Sequence, residues 1–215
     1  MYEQGRPMAE VTAEVGRHFD REEQHRLKRD LLLKVAAACF NEKGYSGTSL
    51  KDVAERLNLT NAALYYYVKN KAELVYACYC RAADVGWRAL SEARAEGGSA
   101  LAQVERYLGY HIDAMTGDAG PVAIMSEIPS LADAHKADVL DRSRRHSRAF
   151  EALLEQGIAD GSIHATNLRM TTNAIMSTIN WIPKWFHGPN PELAAAIKAT
   201  YVPFLIKGLT PAADA

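Results

Sequence analysis

TSLKDVAERLNLTNAALYYYVKNKAEL, residues 48–74, is the stretch whose reading decides the fold. Thr48 or Ser49 caps a short helix with Asp52 in its first turn, because a side-chain oxygen there accepts an otherwise unpaired backbone N–H. That helix turns Leu50, Val53, Ala54 and Leu57 inward. Asn58 and Leu59 make a turn, Thr60 caps a second short helix, and Asn70 caps a third. The second helix is slender at its start (Asn61, Ala62, Ala63) and ends in Tyr65, Tyr66 and Tyr67. Leu64 and Val68 define its inward face, so at least one of the three tyrosines must be exposed.

Two short helices joined by a tight turn fit a helix-turn-helix that reads DNA. Asn61 can hydrogen-bond a base edge, and Ala62 can pack on a thymine methyl. Hydroxyls at helix starts (Thr48, Thr60), tyrosine hydroxyls and lysines suit phosphate oxygens. The candidate DNA-contacting set is Thr48, Ser49, Thr60, Asn61, Ala62, Ala63, Tyr65, Tyr66, Tyr67, Lys69 and Lys71. Charge supports this placement. Residues 26–71 hold nine Lys or Arg against four Asp or Glu, a net +5, so the rest of the chain carries −6 of the overall −1. A basic head on an acidic body suits a head that meets phosphate.

Outward from the head, residues 1–25 are polar, without apolar period, and read as a flexible N-terminal arm. Residues 26–43 read as a helix with an inward face of Leu27, Leu31, Val35, Ala38 and Cys39, stopped by Gly44. Beyond the head, helices are expected over about 71–96, 99–116, 121–127, 131–159, 167–186 and 191–209. β-type alternation is absent, so the fold class is all-α with about nine helices. Pro183 and Pro203 should kink or end the late helices, since each lacks an N–H. With 48% hydrophobic residues among 215 the chain can fill a sizeable core, yet no apolar run is long enough to span a membrane. The first twenty residues do not read as a secretory signal. Cys39, Cys78 and Cys80 are an odd set without a disulfide framework, in keeping with a reduced, cytoplasmic setting.

Residues 27–80 resemble the DNA-binding domain of the tetracycline-repressor (TetR/AcrR) family of bacterial transcription regulators. The resemblance rests on Gly44-Tyr45, Thr48-Ser49-Leu50, Asp52-Val53-Ala54, Leu59-Thr60, the Leu64-Tyr65-Tyr66-Tyr67-Val68 block and the Lys71-Ala72-Glu73-Leu74 opening. The family usually has Gly near 63 and Phe at 68; Ala63 and Val68 are conservative departures. The resemblance implies a DNA-binding domain over 26–86, a ligand-binding and dimerisation domain over 87–215, a homodimer on a palindromic double-stranded operator, and a small-molecule effector. It also implies DNA contacts at Thr48, Thr60, Asn61, Ala62, Tyr65, Tyr66 and Lys71.

The late helices carry wide apolar faces (Met170, Ala174, Ile175, Ile179, Ile182; then Leu193, Ala196, Ile197, Tyr201, Phe204, Leu205), as expected of helices that pack both a core and a partner. Residues 180–186, NWIPKWF, resemble a segment in family members that answer to acyl-CoA or other lipophilic or aromatic acid derivatives. Candidate ligand-binding residues are Trp87, Tyr107, Tyr110, His111, Met115, Met125, Arg148, Met176 and Trp181. The basic run Arg142, Arg144, Arg145, His146, Arg148 reads either as a solvated helix face beside Asp138 and Asp141 or as an anion-binding patch. Neither metal nor cofactor is expected. His135 and His146 are three turns apart on one helix, and there is no HExxH, P-loop, dinucleotide fingerprint or GxSxG. A ligand-responsive repressor is the leading reading. An all-helical metabolite-binding protein or enzyme without a gene-regulatory role is the alternative.

Overall fold

The computed structural model describes residues 8–117, 131–186 and 190–211, with side chains from residue 22 onward. Among the described residues are eight α-helices, a 3-10 turn and no strand. The helices are α1 (Met8–Gly47), α2 (Leu50–Arg56), α3 (Asn61–Tyr65), α4 (Lys71–Ala95), α5 (Ala100–Thr116), α6 (Asp133–Ala159), α7 (Leu168–Asn180) and α8 (Pro191–Lys207). The piece expected over 121–127 lies outside the described residues.

Capping chemistry sets most starts. Ser49, Thr60, Asn70, Ser99, Asn167 and Asn190 each accept a backbone N–H three residues on. Pro191, at the first turn of α8, removes a donor that would have no helical partner anyway. Pro183 does what its missing N–H requires: α7 stops at Asn180 and a 3-10 turn, Ile182–Lys184, carries the proline. Pro203 is tolerated within α8, where it faces outward.

Two boundaries differ from expectation. The first helix begins at Met8, well before residue 26. Residues 17–25 (RHFDREEQH) are mostly good helix formers, so propensity extends the helix where no apolar period marks it. Gly44 breaks α1 at φ 70°, ψ 176°, a conformation that a side chain would resist, and one more turn follows. The inward face of α1 is also rotated. Leu27 and Leu31 are 52% and 54% exposed, and the buried row is Leu32, Leu33, Ala36, Ala37, Cys39 and Phe40. The face that wins is the one α4 covers.

There are two cores. The head core joins Leu32, Ala36 and Phe40 of α1, Val53 and Ala54 of α2, Leu64 of α3, and Leu74, Val75 and Cys78 of α4. It also takes in Leu131, just before α6, and Val139 of α6. The body core joins Ala89, Leu90 and Ala93 of α4 with Val104, Tyr107, Leu108 and Ile112 of α5. Phe150, Leu153 and Leu154 of α6, Ile175 and Ile179 of α7, and Ile197 of α8 complete it. Full burial of each large apolar side chain contributes about 1.5–3 kcal/mol. Two helices therefore run through both cores: α4 enters the head core at Leu74 and the body core at Ala89, and α6 does so at Val139 and Phe150.

Candidate nucleic-acid interface and body cavity

The head is built from local chemistry. Ser49 and Asp52 form a reciprocal capping box at α2, and Lys43 reaches Asp52 at 2.9 Å. The Ser49 and Lys43 donors hold the Asp52 carboxyl well below the usual carboxylate range. Arg56 makes a two-point bond to Glu42 at 2.7 and 2.9 Å, tying α2 back to α1. The chain then turns through Asn58 at φ 53°, a conformation that asparagine tolerates better than most residues. Thr60 caps α3 by accepting from the Ala63 N–H at 3.2 Å.

Leu64, wholly buried, anchors α3, with Val68 buried just beyond it. The opposite side presents Thr60, Asn61, Ala62, Tyr65 and Tyr66 to solvent, Tyr65 and Tyr66 at 56% and 75%. Ala63 and Tyr67 are half-buried, and Ser49 and Lys69 are exposed. Asn61, Ala62 and Tyr65 thus lie on the outer side of α3, with Thr60 and Tyr66 at its two ends, on a helix thin enough for a major groove.

Two expected contacts are corrected. Thr48 is 2% exposed, and its hydroxyl points inward with its one hydrogen shared between the Gly44 carbonyl at 2.8 Å and the Cys39 carbonyl at 3.0 Å. Lys71 is half-buried; its ammonium donates to the carbonyls of Tyr45 at 2.8 Å and Thr48 at 2.9 Å and sits 4.2 Å above the Tyr45 ring. The break at Gly44 turns carbonyls out of the helical ladder. Thr48 and Lys71 donate to carbonyls around it, and Lys71 ties the end of α1 to the start of α4. Lys71→Met is expected to destabilise the protein by about 2 kcal/mol, through loss of the charged-donor hydrogen bonds to the part-buried Tyr45 and Thr48 carbonyls. It should leave the salt dependence of DNA binding unchanged, whereas loss of a phosphate contact would lower the slope by about one unit. Urea denaturation and a salt titration separate the two roles.

His25 is a contact that sequence reading missed. Its ring stacks on Tyr67 at 5.3 Å and meets Tyr66 edge-on at 5.9 Å, so the extended α1 touches the end of the tyrosine block. No pattern within 1–25 signals it, because the contact is between distant residues.

In the body, the structure brings together Tyr107, His111 and Met176 from the candidate set, and adds His146, Asn180 and Gly86. The Tyr107 hydroxyl lies 3.5 Å from His146 Nε2 and donates to the Met176 sulfur at 3.4 Å. His111 Nε2 lies 3.2 Å from Asn180 Oδ1, while its buried Nδ1 has no partner among the described residues. Burial, and secondarily the neighbouring His146, pull His111 down to about 4. Burial also lowers His146, opposed by a backbone hydrogen bond with Gly86. A Cβ on Gly86 would stand 3.1 Å from His111 Cε1 and 3.4 Å from His146, so any other residue would press on both imidazoles and require them to give. Met115 is buried. Tyr110 is half-buried and bonded to Glu96. Trp87, Arg148 and Trp181 are exposed, and Met125 lies outside the described residues. The acidic neighbours expected of the basic run are present: Arg142 pairs with Asp138 at 2.7 Å, and Arg145 with Asp141 at 2.9 Å. Among the described residues no group of acidic, His or Cys side chains could hold a metal, and no helix is long and apolar enough to cross a membrane.

Comparison with known proteins decides the family. Residues 32–78 match the model of bacterial regulatory proteins of the tetR family, and residues 97–209, half of the chain, match that of the tetracyclin repressor-like C-terminal domain. The chain belongs to the TetR family of transcriptional regulators. It is a regulator and not an enzyme. Among its relatives, the transcriptional repressor KstR2 of Mycolicibacterium smegmatis is 23% identical over 197 residues, covering 85% of this chain and 91% of that one. Among solved structures, the TetR-family regulator PfmR from Thermus thermophilus is 26% identical with a TM-score of 0.70, over 84% of this chain and 99% of the other. AibR, solved with isovaleryl coenzyme A and operator DNA, shares the fold at 23% identity and a TM-score of 0.69, over 83% of this chain and 97% of the other.

One surface of this TetR-family chain remains uncovered. On α7, Met170, Ala174 and Ser177 face outward, with Trp181 just beyond. On α8, Leu193, Ala196, Pro203 and Phe204 do the same, Phe204 at 74% exposure. Ile175, Ile179 and Ile197 point the other way into the body core. Each helix is thus apolar on two sides, as expected for helices that pack a core and a partner.

Proposed function

We propose that the chain is a homodimeric, cytoplasmic repressor that binds a palindromic operator and releases it when a small-molecule effector occupies the body. The observation that carries the DNA side is α3: a buried Leu64 seats it, and Asn61, Ala62, Tyr65 and Tyr66 lie free on the opposite side. Asn61 and Ala62 read bases; Ser49, Thr60, Tyr65, Tyr66 and Lys69 meet phosphates; Ala63 keeps the approach narrow and Tyr67 supports Tyr66. The uncovered apolar face of α7 and α8 supports a twofold dimer, whose paired heads would span half-sites one helical turn apart. The effector class is an acyl-CoA or a related lipophilic or aromatic acid derivative. That class is supported by the 180–186 segment and by the AibR complex with isovaleryl coenzyme A.

The test is a footprint on the DNA flanking the gene, followed by gel shifts with variants. Asn61→Ala is expected to change which operator is preferred. Tyr66→Phe should weaken all sequences alike and lower the salt slope by up to about one unit. Equal loss on every sequence for Asn61→Ala would remove it from base reading, and the absence of any protected palindrome would sink the repressor reading.

A further inference from the structure

His25 fixes where the first half of α1 meets the head. Its ring stacks on Tyr67, and the exposed Tyr66 ring stands edge-on to it, 5.9 Å away. Arg29 follows one turn along α1, on the same side as His25. It lines a cleft of about 920 Å³ between α1 and α4, and Lys69, from the turn that joins α3 to α4, lines the same cleft. The carboxylates around these two cations are engaged elsewhere. Glu23 holds Arg26 at 2.7 and 3.0 Å, and Asp30 holds Arg81 at 2.8 Å and Lys34 at 3.4 Å. Glu73 accepts the Lys69 backbone N–H at 2.8 Å, and Glu22 has a partner too. The Arg29 guanidinium and the Lys69 ammonium, by contrast, make no hydrogen bond or ion pair among the described residues. Two cations without an internal partner therefore stand beside the tyrosine block.

We propose that α1 is a further DNA-contacting element of the head: Arg29, with Lys69, holds a backbone phosphate next to the one that Tyr66 meets, and His25 keeps the tyrosine rings in place beside it. The proposal rests on the operator-binding reading above and adds α1 to it. One strand of a duplex presents a phosphate about every 3.4 Å along the helix axis, so a strand held at Tyr66 carries its next phosphates past the α1 side of the tyrosine block. A guanidinium holds phosphate through two parallel N–H donors, and Arg29 has no internal ion pair to give up for it. His25 acts through its neighbours and is a positioning residue. The stacked rings limit the rotation of an exposed Tyr66 side chain, whose ordering would otherwise oppose binding. The α1 contact adds affinity without sequence preference, and base reading stays with Asn61 and Ala62.

The experiment is a salt titration of DNA binding by fluorescence anisotropy, with the full chain, on the operator duplex that footprinting defines and on a duplex of scrambled sequence. Arg29→Gln is expected to weaken both duplexes alike, about fivefold at about 100 mM salt, and to lower the salt slope by about one unit. Glutamine is a good helix former at this exposed position, so the fold should withstand the change. Arg88→Gln removes the same charge from an exposed residue lining the same cleft, about 25 Å along α4 from Lys71, and should change neither quantity. His25→Ala should weaken binding severalfold, and His25→Phe, which keeps a ring to stack on Tyr67, should return it to within about twofold of the parent. A parental slope in Arg29→Gln, a loss confined to one sequence, or an equal loss in Arg88→Gln overturns the α1 contact. His25→Phe as weak as His25→Ala overturns the positioning role. A parent that protects no operator overturns the regulator reading itself, whereas operator protection with a parental slope in Arg29→Gln overturns the α1 contact alone.

Discussion

Leu64→Ala is expected to abolish tight operator binding while leaving most of the body folded. Leu64 is wholly buried and is the one buried residue of α3, whose remaining side chains are exposed or half-buried. A helix of five residues has little stability of its own, so tertiary anchoring holds it. Truncation removes the apolar contact and leaves a cavity among Leu64's partners in the head core, for a loss of about 3 kcal/mol. That is about a hundredfold in an equilibrium constant, and it falls on the element that presents Asn61 and Tyr65. Gel shifts should show the loss on every operator variant, because the reading helix itself is unseated. Leu64→Met, close in volume, should recover most of the affinity. Operator affinity within a few-fold of the parent for Leu64→Ala would mean that α3 does not depend on this anchor to read DNA.

The head was legible in the sequence because its determinants are short-range. Ser49, Thr60 and Asn70 each cap a helix by reaching three residues, and Leu64 and Val68 mark an inward face one turn apart. What failed there depended on distant partners. Leu27 and Leu31 have the right spacing for a core face, yet α4 covers the neighbouring row that contains Leu32 and Ala36. Lys71 looks like a phosphate donor, and the Tyr45 and Thr48 carbonyls that claim it lie far back in the chain; Thr48 is the exception, claimed locally by the Gly44 carbonyl at the break. His25 meets Tyr67 only because α1 is extended. In the body the polar cluster comes from four helices, each giving one or two residues. Its sequence trace is little more than Gly86 within an otherwise regular helix and a histidine on each of two others. Periodicity identifies Tyr107 and Met176 as inward but says nothing of which polar atoms they meet.

That cluster makes the stability of the protein fall with pH in a window that the carboxylates do not share. With its proton on Nε2, His111 donates to Asn180 Oδ1 at 3.2 Å, which leaves Nδ1 as a bare acceptor in the core. Protonating Nδ1 would place a charged N–H where no acceptor faces it, beside His146 of α6 and against Gly86 of α4. Burial first and His146 second therefore pull His111 down to about 4 from an ordinary value of 6.5. In the unfolded chain the imidazole takes its proton near 6.5, and in the folded chain only near 4. The unfolded state thus binds more protons between those values, and stability is lost as pH falls through them. The group's contribution is complete above about pH 6.5 and gone below about pH 4, with a span of about 3 kcal/mol. His146 is lowered by burial too and adds loss of the same sign. Asp30, Asp138 and Asp160 are held below their ordinary 3.8, so their own contributions disappear only at lower pH. Urea denaturation at a series of pH values is expected to show this decline in the parent and a markedly flatter one in His111→Gln. The slope is the readout, so a general loss of stability in the variant does not obscure it. An unchanged slope in His111→Gln would assign the decline to other groups and show that Nδ1 is not the proton acceptor the folded core excludes.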